Sequence, residues 1–406
     1  MEHRDRIVII TPVYPISEKK IVATWAHQQA KAIKALGYTV EVVSPSPYIP
    51  DFLARSGRLS ELANLPGTRT MDGITIHYPR SAVYKHKVMN DYLYERFPMI
   101  ENVSSYIPIH ARVRDIVRQS DVRGLICHNP VPAGFIGSKL REEFNGQLLT
   151  LFHSATELDE SEQNDRLRTI FRNVITQSDH VVTVSTLMAE RFEEYYGISP
   201  YIIRNGFDPK EVDDAREMQN QAKECIELLS VGSLIERKGH QFLIRALGAL
   251  HESGLLSNTE VTCNIVGTGP KEDSLKGLVT DLGLSKIVDF KQNLSREDLN
   301  YLMNTADLFV LPSWNEPWGV VYTEVMPHST PIIMCDGQGL SEIVAEHDLG
   351  LTVPPQDVSE LANAISTLLT DDDRRSKLGR NARDHVYKNL TWENNAKELV
   401  KLLNES

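Results

Sequence analysis

Leu308-Phe-Val-Leu-Pro-Ser-Trp-Asn-Glu-Pro-Trp-Gly-Val-Val-Tyr-Thr-Glu324 runs an apolar strand into a turn and then into a helix. A short apolar run bounded by turn residues is the pattern of a strand covered on both faces, as in a parallel sheet. The same pattern recurs on either side. Glu227-Leu-Leu-Ser-Val-Gly232 opens a series that continues through Val261–Val266, Ile287–Phe290, Pro331–Met334 and Gly350–Val353, with helical patterns between. An earlier series holds Ile7–Ile10, Thr39–Ser44, Gly124–Cys127, Leu148–Phe152 and Val181–Val184. Strands alternating with helices predict βαβ units, so two doubly wound α/β halves are expected.

At 406 residues the chain is too long for one ordinary core, which also points to two domains. Between the two series, Asp208–Lys223 is polar, strongly charged and poor in apolar residues, as expected of a linker, and the boundary is placed near residue 210. After the first strand, Trp25, Gln28, Gln29, Ala32, Ile33 and Leu36 recur at helical spacing and Gly37 closes the helix. At the other end, Thr391 is a candidate N-cap for a helix with Trp392, Ala396, Leu399 and Leu402 on one side. Asp371-Asp-Asp-Arg-Arg is read as a helix start rather than a metal-binding motif.

Hydrophobic residues at 41% and charged residues at 24% are those of a packed globular protein. The formal net charge of -12 argues against a general nucleic-acid binder. Cys127, Cys225, Cys263 and Cys335 lie far apart with no C-x-x-C spacing, which predicts a reduced, cytosolic protein without a zinc site. No signal-peptide pattern opens the sequence, and no apolar run approaches the ~18–20 residues of a membrane helix. Any membrane contact is therefore expected to be peripheral.

In open parallel sheets ligands sit beyond the carboxyl ends of strands. Five loops there carry candidate chemistry. In the first, Glu316 and Glu324 stand in an E-x7-E spacing, one above a helix start near Gly319 and one inside the helix. The backbone N–H groups of Trp318, Gly319, Val320 and Val321 would face a diphosphate, and the two carboxylates would take hydroxyl groups of an elongated ligand. In the second, Ser233 to His240, Arg237 and Lys238 offer cations for a leaving diphosphate. The third, Val266-Gly267-Thr-Gly269-Pro, is a tight turn without the third glycine of a dinucleotide fingerprint, and a purely structural turn is an equal reading. The fourth and fifth, Cys127-His128-Asn129-Pro and Phe152-His153-Ser, each place a histidine directly after a strand.

These residues resemble the family 4 retaining glycosyltransferases of GT-B architecture. The carriers are Ser-Trp-Asn-Glu316-Pro-Trp-Gly-Val-Val-Tyr-Thr-Glu324, Val-Gly-Ser-Leu-Ile-Glu-Arg-Lys238-Gly, Val-Gly267-Thr-Gly269-Pro and Arg204-Asn-Gly-Phe-Asp208. The resemblance implies two Rossmann-like domains facing across a cleft: an acceptor-side domain over 1–208, a nucleotide-sugar domain over 209–385, and a helix over 386–406 that returns to the first domain. It implies that Glu316 contacts the donor sugar, Glu324 the ribose and Lys238 the phosphates. It further implies that His128 is the active-site histidine near the transferred sugar, and that His153 is a second cleft position. The Gln292-Asn293-Leu294 loop would read the base through its backbone. Tyr14, His128, Asn129 and His153 are placed on the acceptor side. Ser233 stands where the family often has an arginine, a contact Arg237 is expected to replace. The first loop, Thr11 to Thr24, lacks the Gly-Gly pair common in relatives.

The expected reaction is transfer of a sugar from a nucleotide-diphosphate sugar to a glycan, glycolipid or small-molecule acceptor, with retention and with neither metal nor cofactor. Alternatives are another GT-B reaction, such as a sugar phosphorylase or nucleotide-sugar epimerase, or a non-catalytic nucleotide-sugar-binding partner. Residues 51–118 hold ten Lys/Arg against seven Asp/Glu, with Tyr78, Tyr84, Tyr92, Tyr94 and Phe97 interleaved. That region reads either as a solvated face or as a contact for an anionic glycolipid or membrane.

Overall fold

The structure is a computed structural model that describes residues 5–16, 24–50, 54, 57–81, 99–212, 225–258 and 260–405. Tyr84, Tyr92, Tyr94 and Phe97, and most of the expected linker, lie outside the described residues. The chain divides into two compact units, Met1–Ile203 with Asn395–Ser406, and Arg204–Asn394.

The first unit contains β1 (Arg6–Ile10), β2 (Thr39–Val43), β3 (Ser46–Pro47), β4 (Thr68–Met71), β5 (Ile74–His77), β6 (Arg80–Ser81), β7 (Val122–His128), β8 (Gln147–Phe152), β9 (His180–Thr183) and β10 (Tyr201–Ile202). Eight of these form one sheet in the order β10-β9-β8-β7-β1-β2-β5-β4, while β3 and β6 pair separately. Neighbours in the large sheet run parallel except β4 and β5, a hairpin turned at Asp72-Gly73. Along β1, Ile7 and Ile9 enter one apolar layer and Val8 and Ile10 the other, because successive side chains point to opposite faces. Both layers are filled, so the strand is apolar throughout.

The helix Thr24–Ala35 packs on the layer of Ile7 and Ile9. Its fully buried positions are Ala26, Gln29, Ala30 and Ile33, so the buried stripe lies slightly round the helix from the one the spacing predicts. Gln29 is buried because its side-chain amide donates to Asn395 Oδ1 at 2.9 Å. Asn395 belongs to the C-terminal helix Trp392–Asn404, capped by Thr391, whose Oγ1 accepts the Asn394 N–H at 3.1 Å. Ala396, Leu399, Val400, Leu402 and Leu403 complete the same apolar layer.

The second unit holds β11 (Ile226–Val231), β12 (Val261–Val266), β13 (Val288–Lys291), β14 (Leu308–Leu311), β15 (Ile332–Cys335) and β16 (Gly350–Val353). They form one parallel sheet in the order β13-β12-β11-β14-β15-β16. This is the 3-2-1-4-5-6 order of a doubly wound fold, and its switch point falls between β11 and β14. Asp371 caps the helix Asp372–Asn389 by accepting the Arg374 N–H at 2.9 Å, in accord with its reading as a helix start. No described helix is long and apolar enough to cross a membrane.

Candidate functional site

Because β11 and β14 are neighbours at the switch point, the loops that leave their carboxyl ends meet. The meeting is close. Gly239 has φ +75°, and a Cβ there would lie 2.1 Å from Pro312 O, so only glycine passes. The Trp314 N–H donates to Arg237 O at 3.0 Å, and Phe242 packs edge-on against Trp314. The result is one joined platform built from both loops.

On that platform Glu316 is buried, and its carboxylate pairs with Lys238 Nζ and, at 3.4 Å, with Arg237 Nη1. Three of the predicted donor-site residues therefore converge on one point. Glu324 pairs at 3.1 Å with Arg296 Nη1 from the helix Arg296–Thr305, a partner the sequence reading missed. Each carboxylate of the E-x7-E pair thus has its own cation. Gly319, at φ +80°, starts a helix of six residues, Val320–Val325, that passes into a 3-10 turn. Only short helix is present to add to the field at this N-terminus. Trp318 is buried, and its indole N–H has no partner among the described residues. Tyr322 locks the turn from below, its hydroxyl donating to Leu311 O at 2.6 Å.

The glycines of the third loop have a structural task. A Cβ on Gly267 would lie 1.9 Å from Gly232 O, and one on Gly269 would lie 2.4 Å from Leu234 O. Leu234 N–H donates to Thr268 O at 2.9 Å, and Lys271 N–H to Leu234 O at 3.0 Å. What the glycines admit is the loop carrying Ser233. Asn293 is exposed at φ +51°, and Leu294 is part-buried, just ahead of a capping box between Ser295 and Asp298. His240, also missed, is buried beneath Gly232, with Nδ1 3.2 Å from Ser230 Oγ. Burial lowers its pKa to about 4, so it is neutral at pH 7.

In the first unit, β7 and β8 are neighbours, and the histidines at their carboxyl ends, His128 as the last residue of β7 and His153 just after β8, meet: His128 Nδ1 lies 2.8 Å from His153 Nε2. Trp25 packs on both rings, at 4.8 and 4.9 Å between centroids. His128 is fully buried, whereas His153 is partly open. Of the two rings expected near the transferred sugar, His153 is the one partly open and His128 stands behind it. Burial lowers both pKa values, that of His153 to about 4, so both rings are neutral. His128 Nε2 is buried without a partner, and a lone pair bears that better than an N–H. The shared proton then sits on His128 Nδ1, and His153 carries its own on Nδ1. Asn129 follows at φ +68°, its N–H donating to Leu151 O at 2.8 Å. Tyr14, expected on the acceptor side, is buried, with its hydroxyl 2.7 Å from His27 Nδ1, while His27 Nε2 lies 2.9 Å from Asp72 Oδ2. That chain ties the first loop to the β4–β5 turn. Among the described residues, no three His, Cys, Asp or Glu side chains group to hold a metal ion.

Two family models match end to end: Glycosyltransferase Family 4 over residues 22–211 and Glycosyl transferases group 1 over residues 211–385. The chain belongs to the family 4 glycosyltransferases. The chain is 31% identical over 237 residues to an uncharacterised glycosyltransferase of Methanocaldococcus jannaschii, covering 55% of this chain and 59% of that one. It is 33% identical over 178 residues to the D-inositol 3-phosphate glycosyltransferase of Corynebacterium efficiens, covering 43% of this chain and 42% of that one. The chain spans about half the length of the curated relatives it matches. Among solved structures, sucrose-phosphate synthase from Thermosynechococcus elongatus superposes with a TM-score of 0.76 at 23% identity over 98% of both chains. Anabaena HepE in complex with UDP and glucose superposes at 0.69 and 18% identity, over 98% of this chain and 99% of that one. At these identities the likeness is one of fold, the GT-B architecture of two Rossmann-like parallel-sheet domains.

Proposed function

We propose that this glycosyltransferase moves a sugar from a nucleotide-diphosphate sugar to a glycan, glycolipid or small-molecule acceptor with retention at the anomeric carbon. The observation that carries the reading is the convergence of Lys238, Arg237 and Glu316 at the switch point of the second sheet. Two cations there suit a diphosphate, and a carboxylate beside them suits sugar hydroxyls. The diphosphate would compete with Glu316 for Lys238, freeing the carboxylate for the sugar as the donor binds. Glu324 would accept hydrogen bonds from the ribose diol. The bond from the anomeric carbon to the diphosphate oxygen breaks, and the acceptor oxygen bonds to that carbon on the same face. The acceptor proton passes to the departing diphosphate, so no protein base is needed. In the first unit His153, neutral and partly open, supplies a hydrogen-bonding group on the acceptor side.

The test is a panel of radiolabelled uridine, guanosine and adenosine diphosphate sugars, begun with UDP-glucose because the Anabaena neighbour was also solved with it. Transfer or slow donor hydrolysis is expected, and Glu316→Ala should lower it about a hundred- to a thousand-fold. Phosphate-dependent release or an epimerised product would instead indicate another GT-B reaction, and binding without turnover a binding partner. Full activity in the Glu316→Ala variant would overturn the donor-site assignment.

A further inference from the structure

The loop between β15 and the helix Ser341–Glu346 carries a side chain that neither motif nor family assignment covers. Gln338 is buried, and its Oε1 accepts the Glu316 backbone N–H at 2.8 Å. Its Nε2 donates to Asp336 O in its own loop, also at 2.8 Å. With an N–H on one side and a carbonyl on the other, only one orientation of the amide satisfies both partners. The next residue completes the hold, since the Gly339 N–H donates to Glu316 O at 3.0 Å. Both polar groups of the Glu316 residue backbone are therefore gripped by the neighbouring loop. That loop is itself braced, because Ser341 Oγ accepts the Gln338 N–H at 3.0 Å and donates to Gln338 O at 2.8 Å.

From this geometry we infer that Gln338 is a positioning residue: it fixes the backbone from which Glu316 projects and so sets the carboxylate against Lys238 and Arg237. The backbone here needs such a hold. Asn315, just before Glu316, has φ +53°, and Gly319, just after the turn, has φ +80°. Asparagine and glycine accept these left-handed conformations without being confined to them, so local preference permits the turn but does not fix it. A carboxylate on an unrestrained turn would sample several positions, and a displacement of about 1 Å can cost two orders of magnitude in rate. The inference rests on the donor-site reading above for its consequence in catalysis, but the hold itself is independent of that reading.

Hydrogen exchange at the Glu316 amide, in the full chain without ligand, tests the hold directly. Gln338→Met keeps the length and removes the acceptor, and the Glu316 amide should then exchange about tenfold faster, the loss of one net hydrogen bond. Gln338→Glu keeps an acceptor for the same N–H and should stay within about threefold of the parent. Turnover of whichever donor the panel selects should fall about tenfold in kcat for Gln338→Met, with KM changed less than kcat. An unchanged Glu316 amide in Gln338→Met overturns the inference, as does unchanged kcat alongside faster exchange. Equal loss of protection throughout the second unit in both variants also overturns it, since it marks a merely structural role. A parent chain that turns over no donor counts against the proposed function, while the exchange result still decides whether Gln338 holds Glu316.

Discussion

Lys238 and Arg237 reach the same carboxylate oxygen of Glu316 from unequal depths, with 14% and 40% of their side chains exposed. The deeper ammonium is shielded from solvent, whereas the guanidinium is screened and its pairing is worth little. Lys238→Met should therefore weaken nucleoside-diphosphate binding about ten- to a hundredfold, and Arg237→Met no more than about threefold, measured by titration calorimetry. Lys238→Met should also lower the melting temperature, because a buried carboxylate loses its nearest cation, and adding Glu316→Gln should restore most of it. Equal effects from both single variants would show that depth does not decide the pairing. Glu316 and Lys238 were legible in the sequence because each sits in a strand-to-turn pattern whose position in a parallel sheet is fixed. Arg296 and Gln338 were not. Each is an ordinary loop or helix-start residue whose significance comes from a neighbour far along the chain. The different exposure of the two histidines was illegible for a related reason, since both stand at strand ends in the sequence and only their placement in the fold separates a buried His128 from a partly open His153.

Elements join here through glycines that have no side chain to spare. Gly267 lies against Gly232 O, Gly239 against Pro312 O, and Gly206 against the Thr391 backbone, where a Cβ would sit 2.3 Å from a carbonyl carbon. Gly277, in the helix Glu272–Asp281, has nothing within 4 Å of the same position. Opposite outcomes follow for one substitution. Gly267→Ala should destabilise the protein by more than about 2 kcal/mol, since backbone must move, whereas Gly277→Ala should stabilise it by about 0.5–1 kcal/mol through helix preference. Urea midpoints of the two variants are the measurement, and a harmless Gly267→Ala would sink the account of that turn. The strands were read to within a residue or two because runs buried on both faces announce themselves. The β4–β5 hairpin was passed over, although Asp72-Gly73 between two short alternating runs is a turn signal. Its strands are brief and polar on one face, so hydrophobicity alone did not mark them.

Across the whole molecule the buried histidines set a dependence on pH. Burial holds His153, His240 and His328 down to about 4 and His128 well below its ordinary value, so the folded protein keeps them neutral where the unfolded chain, titrating near 6.5, binds protons. Stability from these groups is complete above about pH 6.5 and is lost as pH falls toward 4, each fully buried ring contributing a slope of about 1.4 kcal/mol per pH unit. Thermal melts should show a lower midpoint at pH 5 than at pH 7.5, a range in which ordinary carboxylates stay ionised. A midpoint that does not move would mean the rings have water or partners that accept their charge. Two α/β halves were legible in the alternation of patterns, as was a final helix with one apolar side. That helix supplies Leu399, Leu402 and Leu403 to the layer of Ile7 and Ile9, and Leu403 lies where a side chain on Gly124 would be. On a ribosome this sets an order of events. The first unit's strands emerge with one apolar layer still missing a wall, and the segment that supplies it is made only after the whole second unit. At about 5–20 residues per second, the delay is on the order of ten to forty seconds. Throughout that interval the layer of Ile7 and Ile9 lacks Leu399, Leu402 and Leu403, and a ribosome that stalls before residue 395 yields a first unit without that wall.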